Sequence, residues 1–386
     1  MRFSALFCAL LALPLLPQAS HAANFELTIV HANDTHSAAA GIDGRYAACR
    51  EDDACTGGYA RIVEAVEALR KENPAVLALD AGDFWQGTHF FRTGGPEWAL
   101  AAMKRMPWDA VTLGNHEFDA GCAETVRYVE NLPMPVVAAN ILPNPKCPMS
   151  RAPLKPYVVK TVGGVRVGVV GLANDEGKEV SAACPATTFE DRAAALRKAV
   201  GALEKEGVSH IVALTHVGYK TDVELARAVP DIDVIVGGHT HSVLGNHPDS
   251  EGPYPTVVKH PNGNETLVVQ AGRSTRYLGV IKVRFDEAGR VTGYTGTSRN
   301  SPPRCRGTTR PKPSCAARAK RWRRNESASS RRTGNISTTA STNAAKANAS
   351  RACGRRTRSS TGDAPSGRRR PSSTGEPCAR PFRSVP

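Results

Sequence analysis

Residues 109–121 read DAVTLGNHEFDAG. An apolar run from Ala110 to Leu113 stops at Gly114, and Asn115, His116, Glu117 and Asp119 crowd into the turn that follows. A strand-like segment that ends in an amide, an imidazole and two carboxylates carries chemistry at its tip. Four other segments do the same. FELTIVHAND runs into Asp34-Thr35-His36, AVLALDAGD ends in Gly82-Asp83, HIVALTHVG delivers His216, and IDVIVGGHTH delivers His239 and His241. Of the 11 histidines in the chain, five stand in these turns, a placement that scatter would not produce.

The segments between them have helical spacing. GGYARIVEAVEALRKENP puts Ile62, Val66 and Leu69 on one face, with Pro74 after its end. EWALAAMKRM, AETVRYVENL, DRAAALRKAVGALEKEG and DVELARAV read as further helices. GVRVGVVGLA is a fully apolar strand, and ETLVVQAG and LGVIKVRFDEAGRVTGYTG read as closing strands, the last turning at Asp286 to Gly289. Apolar strands alternating with helices imply sheets flanked by helices, an α/β layered sandwich from Asn24 to about Gly296. In open α/β sheets, ligands gather at the C-terminal edge of the strands, where all five polar turns fall.

Two aspartates (Asp34, Asp83), one asparagine (Asn115) and four histidines (His36, His216, His239, His241) are the donor set for a pair of divalent cations. Carboxylate can bridge two ions, and oxygen with imidazole suits zinc, manganese or iron. Two such ions about 3.5–4 Å apart clamp the oxygens of an in-line displacement and activate a water. His116 is then free to face the substrate, with Asp119 orienting and charging its ring. A strand-end histidine taken singly reads as a core or surface residue; five polar strand ends in order do not.

At these residues the chain resembles the calcineurin-like metallophosphoesterases and, within them, the secreted 5′-nucleotidases. LTIVHANDTHS, GGYARI, DAGDFWQGT, DAVTLGNHEFDAG, VVAANI, ALTHVG, DVIVGGHTH and YLGVIKVRFDEAG carry the resemblance, over about Phe25 to Gly296. It implies that Asp34, His36 and His241 hold one ion, that Asn115, His216 and His239 hold the other, and that Asp83 bridges them. It implies a catalytic dyad of His116 and Asp119, with Asn115 and His116 meeting the substrate and metal-bound water or hydroxide as nucleophile. The two ions would be Zn or Mn, and the substrate a nucleoside 5′-monophosphate. The same motifs also serve 2′,3′-cyclic nucleotide phosphodiesterases and UDP-sugar hydrolases. Gln86 and Gly87 are expected to shape their turn, His31 to be structural, Glu117 and Phe118 to pack and support, and His89, His210, His247 and His260 to lie outside the chemistry.

The termini differ in character. A basic start, an apolar run from Phe3 to Leu16 and small residues around Ser20-His21-Ala22 read as a signal peptide over residues 1–22. The run is too short to span a bilayer comfortably, so a stable membrane anchor is the less favoured reading. The expected location is periplasmic or secreted, which permits disulfides. Cys49 and Cys55, flanking a short acidic loop, are expected to be bridged, as the resemblance also implies. Cys147 and Cys184 form a second candidate pair, leaving Cys122 odd, although spacing alone does not establish connectivity.

The chain holds 50 Lys and Arg against 36 Asp and Glu. From Arg299 onward there are 22 basic and 3 acidic residues, so residues 1–298, with 28 basic and 33 acidic, are mildly acidic. The expected metallophosphoesterase domain (23–297) therefore gives no sign of a specific nucleic-acid partner, and no partner protein is implied. Residues 298–386 have no apolar period and are expected to be disordered. Their abrupt turn to Arg, Ser, Pro and Ala reads as out-of-frame translation of GC-rich DNA; the alternative is a natural basic arm. Nothing after Gly296 resembles the nucleotidases' second domain, which supplies base-stacking aromatics and phosphate-binding arginines. The rival to an enzyme is therefore an inactive truncated product or an exported anion-binding protein.

Overall fold

The computed structural model describes residues 25–300, apart from 50–54, 143, 177–183, 246, 247 and 249. The expected signal peptide, His247 and the basic tail beyond Asn300 lie outside the described residues. The strands are β1 (Glu26–Ala32), β2 (Val76–Asp80), β3 (Ala110–Val111), β4 (Ile141–Leu142), β5 (Tyr157–Val162), β6 (Val165–Leu172) and β7 (Thr188–Phe189), then β8 (His210–Thr215), β9 (Val234–Val236), β10 (Thr256–Lys259), β11 (Glu265–Val269), β12 (Tyr277–Phe285) and β13 (Val291–Asn300). The helices are α1 (Tyr59–Glu72), α2 (His89–Met103), α3 (Cys122–Asn131), α4 (Arg192–Lys205) and α5 (Tyr219–Ala228). One sheet runs β13-β12-β1-β2-β3 and a second runs β10-β11-β9-β8-β6-β5; β4 and β7 form a small ribbon.

Period-two alternation decides which face of each strand goes where. Leu27 and Ile29 of β1, Leu77 and Leu79 of β2, and Ile281 and Val283 of β12 point into a seam shared with Val167 and Val169 of β6, Val212 and Leu214 of β8, and Val234 and Val236 of β9. The opposite faces are covered by helices. Val30 and Ala78 meet Ile62, Val66 and Leu69 of α1 and Val126 of α3, while Val170, Ile211 and Ala213 meet Leu196 and Leu203 of α4 and Leu225 of α5. The result is a helix–sheet–sheet–helix sandwich, the expected α/β layered architecture.

Parallel pairing sets the direction of the site. β1–β2, β2–β3, β6–β8, β8–β9 and β9–β11 are all parallel, so the turns after β1, β2, β3, β6, β8 and β9 leave the sheets at one edge. Two elements differ from their expected outlines. The helix expected over EWALAAMKRM begins earlier, at His89, and breaks at Gly95, whose φ of 57° precedes Pro96. β13 continues to Asn300, paired with Tyr277.

Cys49 and Cys55 are bridged, with Cα atoms 5.9 Å apart. The second bridge is Cys122–Cys184, Cα atoms 4.6 Å apart, which corrects the expected Cys147–Cys184 pair. The start of α3 brings Cys122 onto Cys184. Cys147 is a buried free thiol, its Sγ 3.6 Å from that of Cys184 and 3.2 Å from Thr187 Oγ1. Among the described residues no helix is long and apolar enough to cross a membrane.

Candidate functional site

The turns are built from backbone that few residues adopt. Asp34, His36, Asp83, His239 and His241 have φ values of 49°, 45°, 57°, 78° and 57°, in the left-handed region that is unfavourable for residues bearing a Cβ. Each such residue costs about 1–2 kcal/mol. The strand ends that carry them are anchored by the central seam of buried Val, Leu and Ile side chains. Backbone bonds lock the turns together: Asp34 N to Gly82 O at 2.9 Å and His36 N to Asp83 O at 3.0 Å. Gly114 is needed for close approach, because a Cβ there would collide with Asp83 Oδ1.

Two groups of ligand-capable atoms result. Asp34, His36, Asp83 and His241 offer atoms all within 4.8 Å of one another, and so do Asp83, His216 and His239. Asp83 belongs to both. In the first group His36 Nε2 and His241 Nε2 are 3.0 Å apart, and Asp34 Oδ1 is 3.3 Å from His241 Nε2 and 3.9 Å from His36 Nε2. In the second, His216 Nε2 is 3.1 Å from Asp83 Oδ2, and Asn115 Oδ1 lies 3.1 Å from His239 Nδ1. His216 is fully buried. Its Nδ1 donates to Ala81 O at 2.6 Å, which turns Nε2 toward the carboxylates. His216 Nε2 makes no hydrogen bond of good geometry despite its burial. A buried imidazole nitrogen set between two carboxylates, with further ligand atoms converging at about 3 Å, fits divalent cations of the oxygen-and-imidazole class.

The charges point the same way. Burial would lower the His216 pKa, but Asp83 and Asp34 overcome it and raise it to about 10. Burial would raise Asp83, but His216 and then His36 and His116 hold it well below the ordinary carboxylate range. In the ion-free protein, protons on imidazole balance the buried carboxylates. His116 stands beside the first group, its ring 5.4 Å from that of His36. Its Nδ1 is 2.8 Å from Asp119 Oδ2, which leaves Nε2 free of this pairing. Burial lowers its pKa, but the Asp119 hydrogen bond and the charge of Asp83 prevail and raise it to about 9.

All nine residues singled out in the sequence for metal binding or catalysis thus meet at one edge of the sandwich. His31 is buried and bonds Tyr254 Oη at 2.8 Å, and burial lowers its pKa to about 3. His210 packs edge-on against Phe25 and Phe285, and His260 bonds Thr266. Glu117 does more than pack. Its buried carboxylate accepts four backbone N–H bonds, from Asp83 (3.0 Å), Phe84 (2.7 Å), Trp85 (3.1 Å) and Gly114 (2.7 Å), and so clamps the turns after β2 and β3 together.

One residue at this edge escaped the sequence reading. Glu176 follows β6 and places Oε2 3.0 Å from His239 Nε2. The signal was available: Asn174-Asp175-Glu176 is a sixth polar strand end, overlooked because it holds no histidine.

The calcineurin-like phosphoesterase model matches residues 27–243. The chain belongs to the calcineurin-like phosphoesterase family. Rat 5′-nucleotidase is 38% identical over 318 residues, covering 81% of this chain and 54% of that protein. The 5′-nucleotidase precursor of Thermus thermophilus superposes with a TM-score of 0.62 at 34% identity, covering 79% of this chain and 59% of that one. The NAD nucleotidase of Haemophilus influenzae gives 0.63 at 28% identity, over 79% and 56%. This member of the family spans about half the length of the curated relatives it matches.

Proposed function

We propose that this phosphoesterase hydrolyses nucleoside 5′-monophosphates to nucleoside and phosphate with the aid of two divalent ions, zinc or manganese. The observation that carries the proposal is the pair of ligand groups sharing Asp83, with the His116–Asp119 pair beside them. Asp34, His36 and His241 would hold one ion, Asn115, His216 and His239 the other, and Asp83 both. When bound, the ions supply charge to the phosphoryl oxygens and activate water. The side chains do the rest. The rigid strand ends fix the donors, and Asn115 and His116 orient the phosphoryl group. Asp119 Oδ2 stands 2.8 Å from His116 Nδ1 and favours the charged ring; His116 stabilises the developing negative charge and donates a proton from Nε2 to the leaving oxygen. Asp119 keeps the ring oriented and charged.

The relatives named 5′-nucleotidase support the nucleotide substrate. Two disulfides among the described residues support an exported location. The test is hydrolysis by the full chain, stripped with chelator and reloaded with Zn²⁺ or Mn²⁺, with products separated by chromatography: adenosine and phosphate from AMP, 3′-AMP from 2′,3′-cyclic AMP, and UMP with glucose 1-phosphate from UDP-glucose. The His116→Ala variant should keep both ions and lose about 10²–10⁴-fold in turnover. Unchanged turnover with ions bound would refute the mechanism, and preference for either other substrate would reassign the reaction.

A further inference from the structure

We infer that Glu176 is a positioning residue for the second ion, acting through His239; this rests on the two-ion reading above. An imidazole that gives one nitrogen's lone pair to a cation carries its hydrogen on the other nitrogen, and that N–H needs an acceptor. His239 Nδ1 faces Asn115 Oδ1 at 3.1 Å, inside the second ligand group, so Nε2 is the outer nitrogen. Glu176 Oε2 stands 3.0 Å behind it. The carboxylate accepts only, so it favours the hydrogen on Nε2 and turns the Nδ1 lone pair toward the ion. The opposite tautomer would set a nitrogen lone pair against a carboxylate oxygen.

Two of the other three imidazoles follow the same design, and His241 does not. His216 Nδ1 is backed by Ala81 O at 2.6 Å and His36 Nδ1 by Trp85 O at 3.3 Å. Behind His241 Nδ1 stands Arg273, a donor, at 3.4 Å. Among the four ligand imidazoles, His239 is the one backed by a carboxylate, which adds negative charge as well as an acceptor.

Glu176 is held for this task. Asn174 ties the end of β6 to its neighbours: its N donates to Leu113 O at 3.2 Å and its Nδ2 to His216 O at 3.0 Å. Asn174 Oδ1 accepts from Glu176 N at 3.0 Å and so sets the backbone. Arg192 of α4 bonds Asp175 Oδ1 through Nε at 2.7 Å and reaches Glu176 Oε1 at 3.7 Å through Nη2. One oxygen of Glu176 therefore faces Arg192 and the other His239. The Glu176 side chain is 53% exposed, so its removal deletes the contact without opening the core.

The test is zinc binding by the full chain, measured by competition with a chromophoric chelator and by metal analysis. Glu176→Ala should weaken one of two zinc affinities about 10–100-fold and leave the other within about threefold. Glu176→Gln, which retains an acceptor oxygen but no charge, should fall between. In zinc-loaded protein labelled with ¹⁵N-histidine, His239 should carry its hydrogen on Nε2. Wild-type affinity at both sites in Glu176→Ala, equal loss at both, or His239 protonated on Nδ1 would overturn the assignment. Since these readouts need no substrate, wild-type protein that binds zinc as expected but releases no phosphate would remove the proposed reaction and leave the role of Glu176 standing. Failure of the wild-type chain to bind two zinc ions would remove both.

Discussion

Replacing Glu117 by glutamine changes one atom and should cost the protein much of its stability. In the native protein each carboxylate oxygen accepts two backbone N–H groups: Oε1 takes Phe84 and Trp85, and Oε2 takes Asp83 and Gly114. Glutamine has one acceptor oxygen. Whichever way its amide turns, its NH₂ faces two buried N–H donors, so two charge-assisted bonds are lost and two donors are stranded. At about 1.5–3 kcal/mol per hydrogen bond to a charged group, the loss is about 3–6 kcal/mol. Folded domains are held by about 5–15 kcal/mol, so the effect is large. Burial and the nearby Asp83 push the Glu117 pKa up, yet a protonated carboxyl would aim its O–H at a donor, so the four N–H groups require the ionised form. Urea unfolding of metal-free wild type and Glu117→Gln at pH 7 measures the difference. A variant within about 1 kcal/mol of wild type would refute the clamp. Glu117→Gln should also bind zinc more weakly, because Asp83 and Asn115 sit in the turns that Glu117 joins.

Gly114→Ala should lose ion binding at both sites, because its Cβ would push against Asp83 Oδ1; metal analysis of the purified variant checks this. Proteolysis without reductant should yield a Cys49–Cys55 and a Cys122–Cys184 peptide, with Cys147 reacting with a maleimide only after unfolding. In chelator, the His216–Asp83 pair makes stability depend on pH. The His216 pKa is raised from 6.5 to about 10 on folding, so its contribution is fully present below pH 6.5 and lost as pH rises through about 10. The Asp83 pKa is lowered from 3.8, so its contribution is present above pH 3.8 and lost as pH falls. The thermal midpoint of metal-free protein should therefore fall from pH 6.5 to 10, and a rise across that window would contradict the pairing.

The main features of the site were legible because its residues follow apolar strands directly. Asn115 and His116 follow Leu113 across the single glycine Gly114, and His239 and His241 follow the run ending at Val236 across Gly237 and Gly238. A glycine and a polar residue at a strand end are local signals, and parallel strands carry their ends to one edge. The Cys49–Cys55 bridge was local too, six residues apart. The other bridge was not. Loop-closure entropy separates a 62-residue spacing from a 37-residue one by only about 0.5 kcal/mol, too little to choose between Cys122 and Cys147 as the partner of Cys184. Packing of α3 made the choice.

By itself the sequence determined the layered fold, its polar edge and the chemical class of the donors, since strand period, helix period and residue type are written along the chain. Only the tertiary structure decided that Glu117 clamps two turns, that Glu176 stands behind His239, and that five left-handed residues aim the ligands inward. Each of these depends on where one turn lies relative to another far along the chain. That relation is set by burial of the seam between the two sheets, where no single residue's neighbours in sequence have any say.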